Sequence, residues 1–104
     1  MSHPKQPFYY TAKCLAADVL QGRITEDSTT GVYIRTCVQT VLDRTAAMDN
    51  GKIRLQCIDE SIRKRNRYTG GIALRLNICE RNVVQYTSDF IYAVADELGF
   101  WKGG

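Results

Sequence analysis

The chain has 104 residues, 44% hydrophobic and 24% charged, with a formal net charge of +3. That length supports one compact domain and leaves no room for a second core, and the composition is that of a globular chain rather than a disordered one. No apolar run approaches the ~20 residues of a membrane helix, and "MSHPKQPFYY" lacks the apolar stretch of a signal peptide. The expected location is cytoplasmic, or nuclear in a eukaryote.

In chain order, residues 1–10 read as an N-terminal segment that is flexible or packed on the surface. A domain is expected over 11–101 and a short tail over 102–104. The first helix is predicted from Thr11 to Gln21, with Cys14, Leu15, Val19 and Leu20 on its apolar side and Gly22 as its stop. After the polar run "TEDSTTG", Ile34, Cys37, Val38, Val41 and Leu42 recur at helical steps, ending near "MDNG", where Asn50 and Gly51 can turn left-handed.

From Lys52 to Tyr68 the pattern mixes two periods. "IRLQC" alternates like a strand, whereas Leu55, Ile58 and Ile62 recur like a helix. A helix is favoured, because Asp59 with Arg63 and Glu60 with Lys64 are acid-before-base pairs four apart, a spacing that brings charges together only on a helix. Gly70 and Gly71 are read as its end.

Ile72, Leu74, Leu76 and Ile78 then alternate with Ala73, Arg75 and Asn77, the pattern of a pleated strand. "VVQYT" supplies a second strand, with Glu80, Arg81 and Asn82 near the tip of a β-hairpin. Ser88 is placed as the cap of a last helix from Asp89, carrying Phe90, Ile91, Val94 and Leu98 inward and closed by Gly99. The expected class is therefore α+β: three helices, a hairpin and a C-terminal helix. By element order this is analogous to a winged helix-turn-helix domain, with the third helix as the DNA-facing one.

Four cysteines, Cys14, Cys37, Cys57 and Cys79, sit among apolar neighbours and are read as buried, reduced thiols. No metal site is expected, because no two cysteines are close in sequence and the single histidine is His3. No cofactor and no catalytic residue are assigned. The chain lacks a central histidine, a phosphate-binding glycine loop and a nucleophile elbow.

The strongest chemical feature is "SIRKRNRYTGG". Lys52 to Arg67 holds six basic and two acidic residues, a local +4, leaving about −1 for the remainder. One reading is structural, since cations suit the carbonyl end of a helix. The functional reading is a non-enzymatic regulatory module, a homodimer, touching DNA or RNA backbone through Arg54, Arg63, Lys64, Arg65, Arg67, Tyr68 and Arg81. The alternative is a protein-interaction module, an adaptor, inhibitor or small complex subunit, using an apolar patch or the edge of the hairpin sheet. An acidic protein is then the partner.

Overall fold

A computed structural model describes residues 7–24 and 28–99, and every regular element among them is helical. Helix α1 is Pro7–Leu20, α2 is Thr29–Ala46 and α3 is Gly51–Ile58, which runs on as a π-helical turn, Asp59–Arg63. Two further helices, α4 (Thr69–Leu76) and α5 (Glu80–Glu97), follow among the described residues.

Each boundary has a local cause. Pro7 opens α1, where a missing backbone N–H and a fixed φ cost nothing. Gly22 ends that helix region at φ +76°, as the sequence predicts. Ser28, extended at φ −66° and ψ 155°, caps α2 by accepting from the Gly31 amide at 3.1 Å. At the α2–α3 corner Asn50 takes the left-handed conformation at φ 60°, but Gly51 does not. Gly51 is required for space: a Cβ there would lie 2.3 Å from the Ala46 carbonyl oxygen.

The predicted α+β class is overturned. The hairpin and the winged arrangement built on it are absent among the described residues, because both supposed strands are helical. The alternation misled for a specific reason. Ile72 and Ala73 are buried side by side, whereas Leu74 is 81% exposed, so the inward positions are 72, 73 and 76, a helical set. Gly70 and Gly71 lie in the first turn of a helix instead of ending one. Ser88 falls within α5, which starts eight residues earlier than its expected cap. The third helix stops at Arg63 and the chain from Lys64 to Tyr68 is a loop.

Two clusters hold the helices together. The larger joins α1 (Tyr9, Ala12, Ala16, Ala17), α2 (Val38, Val41), α3 and its extension (Ile58, Ile62) and the second half of α5 (Phe90, Ile91, Val94, Ala95). The alanines of α1 let it approach α5 closely, and Tyr9 packs on Tyr92 with ring centroids 5.2 Å apart. The smaller cluster joins α3 (Ile53, Cys57), α4 (Ile72, Ala73, Leu76), Ile78 and the first half of α5 (Val83, Tyr86). Burying four aliphatic or aromatic side chains on one helix stabilises at about 1.5–3 kcal/mol each before the entropy of ordering is counted. That is why α5, which meets every other helix, is the axis of the fold.

All four cysteines are unbridged. Cys37 and Cys57 are buried, and burial pushes the Cys57 thiol pKa up. Cys14 and Cys79 are exposed, contrary to the sequence expectation. Of the aromatic residues near the two ends, Phe8, Tyr9 and Tyr10 belong to α1, while Phe100 and Trp101 lie outside the described residues.

Candidate nucleic-acid interface

The basic run divides into two parts. Arg63 is ion-paired with Asp59, its Nη2 3.2 Å from Oδ2 and its Nε bonded to Oδ1. That hydrogen bond holds the Asp59 carboxyl below, and the Arg63 guanidinium above, their ordinary pKa values. Lys64 Nζ lies 3.6 Å from Glu60 and 3.9 Å from Asp59, and Arg75 reaches Glu60 at 2.8 Å. The i, i+4 pairs expected from the sequence therefore form, and in forming they answer the charges of Arg63 and Lys64 internally. Arg54 is engaged as well, 4.3 Å over the Tyr86 ring and 3.5 Å from Asp89.

Arg65 and Arg67 have a different fate. Neither has a carboxylate within ion-pair distance among the described residues. Arg65 takes a left-handed conformation, φ 54°, that turns the chain off the end of the π-helical turn. Asn66 then closes a local turn, its Oδ1 accepting from the Tyr68 amide at 2.9 Å. The turn carries both arginines toward α1, where Lys13 is also without an acidic partner among the described residues. Lys13, Arg65 and Arg67 line one cleft of about 250 Å³ with Tyr10, Cys14 and Ser61.

An adjoining cleft of about 230 Å³ shares Lys13, Ser61 and Arg67 and continues to Thr69, Val84, Thr87 and Ser88. Ser61 is fixed between the two: its hydroxyl donates to the Cys57 carbonyl and lies 2.8 Å from the Thr87 hydroxyl. Tyr68, 70% exposed, lays its ring against Gly70 and Gly71; a Cβ on Gly71 would come within 2.8 Å of that ring. The pair of glycines thus makes a seat for the tyrosine.

Beyond the clefts, α4 and α5 are joined by three residues, Asn77, Ile78 and Cys79. Asn77 is left-handed at φ 57°. Its amide bonds the Leu74 carbonyl at 3.3 Å, and the Ile78 amide bonds the Ala73 carbonyl at 3.0 Å, which closes α4 in a Schellman turn. Thr69 at the start of α4 donates to Glu80 at the start of α5, tying the two helix beginnings together. Past this corner Arg81, Val84 and Gln85 are exposed and Ser88 half-exposed, at steps of three and four that place them on one face.

Of the seven residues singled out from sequence, Arg65, Arg67 and Tyr68 come together in one loop. Arg63 and Lys64 point to carboxylates of their own helix, Arg54 lies against α5, and Arg81 stands at the first turn of α5. Lys13 was missed. No local pattern marks it, because its place beside Arg65 and Arg67 follows from the packing of α1 against the π-helical turn. Gln85 and Ser88 were missed because their segment was read as strand and cap. Among family models, curated proteins and solved structures, nothing matches this chain, so its geometry alone carries the functional argument.

Proposed function

We propose that the chain is a small, non-enzymatic binding module that holds the phosphate backbone of a nucleic acid through Lys13, Arg65 and Arg67. One observation carries this reading: three cations from two separate segments converge on adjoining clefts with no carboxylate among the described residues at ion-pair distance to answer them. A structural cation at a helix end has its carbonyls or acids beside it, as Arg63 and Lys64 do. Phosphate contact needs only charge, reach and hydroxyl or amide donors nearby, and the Asn66 amide and the Ser88 hydroxyl line the adjoining cleft as such groups. Arg63 and Lys64 contribute by shaping the loop rather than by their own charge.

The test is binding of a mixed-sequence duplex DNA and a single-stranded RNA, followed by fluorescence anisotropy over a salt series. On duplex DNA each phosphate contact adds about 0.9 to the log-log salt slope. Replacing Lys13, Arg65 and Arg67 together by alanine should lower the slope by roughly 2 to 3. The pair R63A/K64A should change it far less. Absence of wild-type binding to either probe at low salt sinks the proposal.

A second reading is the protein-interaction module, favoured by exposed Leu74 on α4 and half-exposed Val84 on α5. The sheet-edge form of that reading falls with the hairpin. Retention of a protein partner by the triple variant, with nucleic acid removed, would select it.

A further inference from the structure

We infer that α4, its three-residue turn and the first half of α5 form a helix-turn-helix that reads duplex DNA in the major groove with Arg81, Val84, Gln85 and Ser88. This deepens the backbone-binding proposal and rests on it.

The corner has the element lengths and the tight connection such a unit requires. A short first helix of eight residues is followed by a tight turn with one left-handed residue, then by a longer helix that exposes Arg81, Val84 and Gln85 in its first turns. Close approach of the two helices is eased by a small buried side chain, and Ala73 provides one in the cluster it shares with Val83. Ile72, Leu76, Ile78 and Tyr86 surround that contact, and Ile53 and Cys57 of α3 support it from behind. The inner side of the corner is thus fixed by packing, leaving its outer side to do something else.

That outer side matches the edges of base pairs. Arginine fits the guanine O6 and N7 pair, a glutamine amide fits adenine N6 and N7, and an aliphatic side chain fits the thymine methyl. Arg81 and Val84 present the first and third of these chemistries on exposed positions, and Gln85 presents the second by exchanging its 2.7 Å hydrogen bond to Asp89 for the base edge. From Arg81 to Ser88 the helix rises about 10.5 Å, the length of three base-pair steps at about 3.4 Å. The two acids near the face are already engaged: Glu80 accepts from Thr69, and Asp89 accepts from Gln85 at 2.7 Å and pairs with Arg54.

The same face borders the cationic clefts. Val84 and Ser88 line a cleft together with Lys13, Arg67 and Thr69. A helix laid in the major groove would therefore carry, beside its reading face, the groups that grip the flanking backbone. Duplex RNA is disfavoured because its major groove is too deep and narrow to admit a helix.

The experiment is selection of the full chain against a randomised duplex DNA pool at fixed low salt, with R81A, Q85A and K13A/R67A run in parallel. Thermal melts confirm that each variant is folded. The wild type should enrich a short motif. R81A and Q85A should each lose preference at one or two positions, by about tenfold, while still binding bulk duplex. K13A/R67A should weaken binding to all sequences alike. Enrichment of no motif by a wild type that binds duplex, or identical motifs from R81A and Q85A, overturns the inference and leaves the backbone proposal standing. So does binding of single-stranded RNA without duplex DNA. Absence of binding to any nucleic acid overturns both.

Discussion

The two halves of α5 belong to one continuous helix yet serve different ends. From Phe90 onward four residues are buried against α1, α2 and α3, and the far end is held from α2: Tyr33 donates to the Glu97 and Leu98 carbonyls, Cys37 to Glu97, and Arg44 pairs with the Glu97 carboxylate at 2.9 Å. From Glu80 to Ser88 only Val83 is fully buried, while the outward face has Arg81, Val84 and Gln85. The basic run divides in the same way, since Arg63 and Lys64 are spent on their own helix and Arg65 and Arg67 are not. A side chain's neighbours, more than its type, decide whether it stabilises the fold or remains available to a partner.

Truncation should separate the halves most sharply. Phe90→Ala removes the largest fully buried side chain and should cost about 3–5 kcal/mol in urea unfolding. Enlarging the α4–α5 crossing comes next. Ala73→Leu overpacks a buried site and should cost about 1–3 kcal/mol by the same measurement. A near-zero cost there would mean that the corner is not closely packed.

The internally paired part of the basic run can be probed by acid. The Asp59 carboxyl is held below its ordinary pKa, mainly by its hydrogen bond from Arg63. A depressed folded-state pKa means that the stabilising contribution is complete above the unfolded value, about 4, and is lost as pH falls through the lower folded value. Thermal melts from pH 6 to pH 2 should therefore show a shallower acid decline for Asp59→Asn than for the wild type. The smallest effect belongs to the reading face. Val84→Ala and Gln85→Ala should leave stability within about 0.5 kcal/mol, and a larger loss in calorimetry would make those residues structural.

Much of the helical frame was legible. The stop at Gly22, the left-handed Asn50, the stop at Gly99 and the pairing of Asp59 with Arg63 and Glu60 with Lys64 follow from local chemistry and are all present. The corner reads as a strand pair by periodicity and is a helix pair in the structure. In an eight-residue helix followed by Ile78, apolar residues at 72, 74, 76 and 78 mimic a pleat, and only the exposure of Leu74 separates the two. Ala73 followed four residues later by Asn77, with Ile78, Val83 and Tyr86 beyond, was the signal that a tight helical corner leaves in the sequence.

By itself the sequence determined where helices could start and stop and which charges could pair along one of them, because caps, left-handed residues and i, i+4 contacts act over a single turn. Tertiary structure alone decided that Lys13 meets Arg65 and Arg67, that Leu74 faces out, and that Arg81, Val84 and Gln85 stay exposed on the first half of α5. Those outcomes depend on which helix packs on which, and no span of a few residues contains that information.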